Sequence, residues 1–94
     1  MKHYWSKKAD KDLDRIYRYV CDHFTKEIAI NVYYKIKLET SRLEAFPELG
    51  RKIVTKFHLR YLVVDGNVIT YEIVLDEIPR IIIRAIRPGK VITT

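Results

Sequence analysis

The sequence predicts an α+β domain: a short N-terminal strand, an antiparallel helix hairpin, and then a three-strand antiparallel meander, with the helices packed on one face of the sheet. Two observations lead to this fold. Apolar residues recur every three or four positions over residues 6–43, which is typical of amphipathic helices. From residue 57 onward the apolar period changes to two, which is typical of strands.

Length and composition favour one globular domain over residues 1–94. Hydrophobic residues make up 48% of the chain and charged residues 32%, as in folded rather than disordered proteins. The single cysteine, Cys21, excludes an intrachain disulfide. Residues 1–5 are too short and polar for a secretion signal, and no apolar run approaches the roughly 20 residues of a membrane span. We therefore expect a cytoplasmic protein without membrane contact.

Each N-terminal element has its own start signal. Residues 2–5 are predicted as a short strand, Ser6 as the N-cap of the first helix, and Thr25 as the N-cap of the second. The second helix should end before Pro47, because the residue preceding a proline disfavours helical geometry. The apolar stripes are Ala9, Leu13, Ile16, Tyr17, Val20, Cys21 and Phe24 in the first helix, and Ile28, Ala29, Val32, Tyr33, Ile36, Thr40 and Leu43 in the second. The opposite face of the first helix carries Lys8, Lys11, Asp12, Arg15 and Asp22.

Three strands follow the turn at residues 46–50. The odd-numbered positions are the more apolar set, so we expect them to face the helices and the even-numbered positions, Ile86 included, to face away. This choice favours a three-residue loop at residues 65–67, which pairs Val64 with Val68 and places Arg60 opposite Glu72. The odd set is Phe57, Leu59, Tyr61, Val63, Ile69, Tyr71, Ile73, Leu75, Ile81, Ile83 and Ala85.

The resulting open face is predicted to be basic. The net charge is +6, and residues 50–94, with eight Lys or Arg against four Asp or Glu, carry most of it. Such a surface suits nucleic acid, the ribosome or an acidic protein, although an ordinary soluble surface explains it equally well. An Arg60–Glu72 pair would also be a common cross-strand contact. The predicted face carries His58, Arg60, Thr70, Glu72, Arg80 and Arg84, extended at its edges by Lys52, Lys56, Arg87 and Lys90.

Neither a metal nor a cofactor is expected. The three histidines stand apart in the sequence, and the three glycines form no phosphate-binding loop. Cleavage of RNA without a metal would need a general base, a general acid and cations that stabilise the charge on the phosphate. Arg60, Arg84, Lys52 and Lys56 could supply the positive charge, and His58 is the one histidine near them.

The order of elements and three motifs resemble the RelE/ParE family of toxins. The first helix reads Ser6-x-x-Ala9-x-x-x-Leu13-x-x-Ile16-x-x-Tyr19, and the helix–sheet junction reads Leu43-x-x-Phe46-Pro47-x-x-Gly50-Arg51. The meander reads Leu59-Arg60-x-Leu62-x-Val64, then Ile69-x-Tyr71-x-Ile73, then Ile81-x-Ile83-x-x-Ile86. The resemblance covers nearly the whole chain. It implies a toxin of a type II toxin–antitoxin system, of the kind associated with plasmid stabilization, that is silenced in a hetero-oligomer by an antitoxin encoded beside it.

The resemblance leaves three activities open. RelE-like members are ribosome-dependent mRNA interferases, for which Arg60 and Arg84 would be the catalytic arginines. ParE-like members poison DNA gyrase, for which the remaining basic residues, Lys52, Lys56, His58, Arg80, Arg87 and Lys90, would bind the target. A diverged member would only bind its antitoxin. Residues 86–92 lack the tyrosine or histidine that RelE-like members often carry there, which favours the ParE-like branch and a gyrase inhibitor.

Overall fold

The computed structural model describes residues 1–89, with five strands in one mixed sheet and two helices on one face of it. The predicted α+β architecture is confirmed. In spatial order the strands are β1, β5, β4, β3 and β2; β1 is parallel to β5, and the other neighbours are antiparallel. The elements are β1 (Lys2–Trp5), α1 (Lys7–His23), α2 (Lys26–Ser41), a 3₁₀ turn (Arg42–Glu44), β2 (Arg51–Ile53), β3 (Lys56–Val64), β4 (Asn67–Val74) and β5 (Arg80–Pro88).

Both helices begin at the predicted caps. The Ser6 hydroxyl accepts the Ala9 N–H at 3.0 Å, and the Thr25 hydroxyl accepts the Ile28 N–H at 3.1 Å. Each cap satisfies a backbone donor that the first helical turn leaves without a partner. Ser6 also donates to the Arg84 carbonyl at 3.0 Å, so the start of α1 is fixed against β5.

Two sheet contacts were not predicted from the sequence. Strand β2 is only three residues long, and it extends the meander by pairing Arg51 with Tyr61. Strand β1 lies beside β5, where Trp5 is the partner of Ile83. Strand β2 follows the turn at residues 46–50 and is too short to show a period of its own.

The predicted register of the first hairpin is wrong. The loop has two residues, Asp65 and Gly66, both with positive φ, and the closing pair is Val64 with Asn67. Such tight two-residue turns match the right-handed twist of the strands, and they favour Asp-Gly. Arg60 therefore lies opposite Tyr71 rather than Glu72. Between Leu59 and Val64, β3 therefore has the opposite facing to the prediction: its even positions, including the buried Val64, face the helices.

A β-bulge changes the facing of β5. Tyr71 pairs with Ile83 and Thr70 with Ala85, so Arg84 is an extra residue on the bulged strand. Beyond the bulge the buried position is Ile86, which is 3% exposed. The prediction that Ile86 faces away from the helices was therefore wrong, because strict alternation cannot anticipate an inserted residue.

The core lies between the helices and the sheet. Its buried members are Ala9, Leu13, Ile16, Ile36, Leu43, Val64, Ile69, Tyr71, Ile81, Ile83 and Ile86. Phe24, the last residue of the first predicted helix stripe, and Ile28, the first residue of the second, are exposed and do not belong to this core. Within residues 1–89, neither helix is long and apolar enough to cross a membrane.

Candidate functional site: the helix–sheet junction and its basic hollow

A buried tyrosine fixes the turn between α2 and the sheet. The Tyr71 hydroxyl donates to the Pro47 carbonyl at 2.7 Å and accepts the Gly50 N–H at 2.8 Å. Burial raises the pKa of Tyr71 above its ordinary value, so the hydroxyl keeps its proton for this bond. Gly50 is needed for close approach, because a Cβ there would lie 2.7 Å from both the Tyr61 carbonyl oxygen and the Tyr71 ring.

Arg60 completes this junction. Its guanidinium donates to the Gly50 carbonyl at 2.8 Å and to the Glu48 carbonyl at 3.4 Å. Both acceptors belong to the turn, so Arg60 ties β3 to residues 46–50. The geometry gives this arginine a structural role in addition to its charge.

Three of the predicted basic residues line one hollow beside the junction. Lys52, His58 and Arg60 lie on its wall, together with the acidic residue Glu48 of the turn. Its volume is about 660 Å³, and its apolar wall consists of Met1, Phe46, Pro47, Leu49, Ile73 and Leu75. The register explains this placement, because Lys52 pairs with Arg60 and both therefore project from the same side of the sheet. An open hollow with an apolar wall and exposed cations is suited to bind an anionic group.

Arg84 is not part of this hollow. Its guanidinium donates twice to Glu72, at 2.9 and 2.6 Å. Glu72 pairs across the sheet with Ile82 and lies next to the buried Tyr71, so this ion pair belongs to the face turned away from the helices. Arg60 and Arg84, predicted together as catalytic residues, thus lie on opposite faces of the sheet.

The other predicted basic residues are dispersed. Arg80 donates to the Asp76 carboxylate at 2.8 Å and to the Ile78 carbonyl at 2.9 Å. The hydrogen bond from Arg80 to the carboxylate lowers the pKa of Asp76. Lys56 is exposed at the start of β3, and Arg87 is exposed near the end of β5. Lys90 lies outside the described residues. The single basic face that the sequence predicted is therefore divided between the hollow and the opposite side of the sheet.

Asp12 is the buried polar residue that the sequence interpretation misplaced. It was assigned to the charged face of α1, yet it is 3% exposed and accepts the Ile86 N–H beyond the bulge at 2.9 Å. Lys8 and Arg15 bind the same carboxylate at 2.8 and 3.2 Å. Burial opposes ionisation of Asp12, but these hydrogen bonds and charges outweigh it and lower its pKa. The spacing carried the signal, because Ala9, Asp12, Leu13 and Ile16 follow one buried helical stripe.

The charged residues of the hollow are two cations, Lys52 and Arg60, and one carboxylate, Glu48, so the chemistry available there is charge recognition. His58 is exposed and stands beside two cations, Lys52 and Arg60. Within residues 1–89, no group of three or more His, Cys, Asp or Glu side chains is arranged to hold a metal ion.

Comparisons with known proteins agree with this architecture. Among solved structures, a chain from the chromosomal ParDE toxin–antitoxin system of P. aeruginosa is similar, with a TM-score of 0.78 and 20% identity. The match covers 96% of this chain and 97% of that chain, and it shows a shared fold. No match was found among the curated proteins. The family model for the ParE toxin of the type II toxin–antitoxin system parDE matches residues 4–92. Since that match spans almost the entire sequence, this chain belongs to the ParE toxin family of type II toxin–antitoxin systems.

Proposed function

We propose that this chain arrests growth by inhibiting DNA gyrase and that a cognate antitoxin silences it by binding. The observation that carries the proposal is the family match over residues 4–92, supported by the ParE-like arrangement of helices and sheet. In this proposal the protein acts by binding, without a bond being made or broken in the target.

The positions of the two arginines support binding over RNA cleavage. A metal-independent cleavage site must bring its base, its acid and its charge-stabilising groups to one phosphate. Arg60 faces the helix side and is bonded to the turn, whereas Arg84 is on the other face in an ion pair with Glu72. These two guanidinium groups therefore cannot converge on one phosphate without a change in the sheet.

We assign the target-binding role to the hollow beside the junction. Lys52 and His58 are exposed there, and Arg60 is held in place by the Gly50 carbonyl. Preorganised cations beside an apolar wall suit an acidic surface of a protein target. The same group of residues is also the observation that favours the second candidate, ribosome-dependent mRNA cleavage, with His58 as its general base.

Two assays on the purified chain separate these functions. We expect the chain to block supercoiling of relaxed plasmid by gyrase, and we expect primer extension on programmed ribosomes to show intact mRNA. Cleavage in the A-site codon, lost in His58→Ala, would instead establish the RNA-cleaving alternative. If induced expression without an antitoxin leaves growth unchanged, the chain is a diverged member and the toxin proposal is wrong.

A charge-reversal pair tests the hollow. Lys52→Glu is expected to weaken gyrase inhibition by about tenfold or more, equivalent to about 1.4 kcal/mol of binding free energy. Lys11→Glu is the matched control, because Lys11 is also an exposed lysine but lies on α1, outside the hollow. Equal inhibition by both variants would remove the hollow from the target-binding surface.

A further inference from the structure

A second hollow lies on the helix hairpin, between α1 and α2. We call it the tyrosine groove, because Tyr17 of α1 and Tyr33 and Tyr34 of α2 form much of its wall. Leu13 and Ile30 supply the rest of the apolar lining, and the volume is about 520 Å³. The charged residues that line it are Asp10, Asp14 and Lys37. The tyrosine groove and the basic hollow beside the junction share no lining residue, so they are separate sites.

The tyrosine rings of the groove stand nearly perpendicular to one another. Tyr17 and Tyr33 meet edge to face, with ring centroids 6.1 Å apart and ring planes at 81°. Tyr33 and Tyr34 meet in the same way, at 5.8 Å and 85°. Tyr34 is 66% exposed, so its ring is accessible to a ligand. Perpendicular rings are the arrangement from which cages for ammonium groups are built, because the faces of each ring are electron-rich.

The protein already places one ammonium group on this aromatic surface. The Lys37 Nζ lies 4.2 Å from the centroid of the Trp5 ring and 5.8 Å from that of Tyr33. A cation within about 6 Å of a ring centroid is attracted by the electrons of the ring face. Trp5 does not line the groove, so Lys37 is drawn towards its margin. Within residues 1–89, Tyr17 and Tyr34 have no cation on their rings.

Two carboxylates add negative charge to the groove. Asp10 and Asp14 are exposed and lie one turn apart on α1, which places their Cβ atoms about 5–6 Å from each other. Arg18 already pairs with Asp14, so Asp10 is the more available of the two carboxylates. The chain as a whole carries a net charge of +6. Salt screens charges beyond about 8 Å, so the carboxylates beside the groove have more influence on the ions it binds than the distant cations.

We propose that the tyrosine groove binds an aliphatic polyamine, with one ammonium group held between Asp10 and the tyrosine rings and the methylene chain lying on Leu13 and Ile30. A polyamine uses every part of the lining: the carboxylates, the ring faces and the apolar residues. A metal ion would use the carboxylates alone, and a neutral apolar ligand would use the rings but gain nothing from the charge. The inference goes beyond the proposed function and does not depend on it.

Titration of the purified chain with spermidine tests the site. We expect saturable one-to-one binding by calorimetry, with a Kd of about 1 mM or less. Trp5 is the only tryptophan of the chain, and its fluorescence should change on binding, because the incoming ammonium group repels Lys37 from its position near the groove. Lys37→Met should tighten binding, since it removes the competing ammonium group and keeps an unbranched side chain. An equimolar amount of Mg²⁺ should displace little spermidine, because it gains nothing from the rings.

Two matched pairs of variants assign the site. Tyr34→Ala and Asp10→Asn should each weaken spermidine binding by about fivefold or more, because each removes a group that contacts the ammonium ion. Tyr19→Ala is the control for the ring, since Tyr19 is 56% exposed on α1 and lies outside the groove. Asp22→Asn is the control for the charge, since Asp22 is an exposed aspartate of α1 that also lies outside it. All four positions are exposed, and urea unfolding confirms that each variant is folded.

The binding readout keeps this inference separate from the proposed function, because it involves neither growth nor gyrase. Weaker binding in Tyr34→Ala and Asp10→Asn, with wild-type affinity in Tyr19→Ala and Asp22→Asn, would support the inference. The absence of saturable spermidine binding by the wild-type chain would overturn it. Equal losses in Tyr34→Ala and Tyr19→Ala, or full displacement of spermidine by equimolar Mg²⁺, would overturn it as well, because the rings would then play no part in recognition.

Discussion

The helix-facing side of the sheet and its open side both present large apolar side chains, but within residues 1–89 only the first is covered. On the helix-facing side, Ile69, Tyr71, Ile81 and Ile83 are each 0% exposed. On the open side, Val63 and Tyr4 are more than half exposed. The core is therefore complete without the open side.

Polar groups differ between the two sides in the same way. On the helix side they fix the backbone: Tyr71 and Arg60 hold the turn, and Asp12 accepts the Ile86 N–H. On the open side, the Arg84–Glu72 pair joins two side chains in a partly exposed setting, where such pairs contribute about 1 kcal/mol or less. Stability should consequently depend on the helix side far more than on the open side, and three experiments test that difference.

The largest effect is expected at the junction. Gly50→Ala would place a Cβ 2.7 Å from the Tyr61 carbonyl and from the Tyr71 ring, so it should lower the free energy of unfolding by about 3 kcal/mol. Gly66→Ala is the control, because it meets nothing within 4 Å and only strains a positive φ, at about 1 kcal/mol. Urea unfolding measures both. Equal losses would show that the junction is not closely packed.

An adjacent pair on β3 tests the register directly. Leu62 packs against the core, so Leu62→Ala should lower the free energy of unfolding by about 2 kcal/mol. Val63 is exposed, so Val63→Ala should lower it by about 0.5 kcal/mol or less. The same urea titrations provide the comparison. If Val63→Ala were the more damaging change, β3 would have the opposite facing.

The smallest effect is pH-dependent and concerns Asp12. Its folded-state pKa is lowered below the ordinary 3.8, so its ionised form stabilises the fold above that pH, and the contribution is lost as pH falls through the folded-state pKa. Asp12→Asn should therefore cost about 1–2 kcal/mol at neutral pH and progressively less below about pH 4. Thermal unfolding across this range measures the difference.

Asp14→Asn is the control for that experiment, because Asp14 is an exposed aspartate on the same helix, paired with Arg18. At neutral pH, Asp14→Asn should lower the free energy of unfolding by much less than Asp12→Asn does. A constant difference between wild type and Asp12→Asn down to strongly acidic pH would mean that the charge of Asp12 does not stabilise the fold.

Much of this protein was determined by local sequence. Ser6 and Thr25 specify where the helices begin because their hydroxyls satisfy donors only three residues away. The change of apolar period specifies helices followed by strands, and residues 2–5 form the predicted first strand. The motifs of the first helix, the junction and the meander carry the resemblance to the toxin family, and each motif is formed by residues close together in the sequence.

Only the tertiary structure decided which side of each strand faces the helices. Both sets of side chains in β3 include large apolar residues, so hydrophobicity could not choose between them, and the two-residue Asp65-Gly66 turn made the choice instead. The bulge at Arg84 then reversed the facing within β5. The turn placed Arg60 in the hollow, on the opposite face of the sheet from Arg84, and the bulge buried Ile86. Facing depends on pairing between strands, which a local apolar period does not encode when both faces of a strand are apolar.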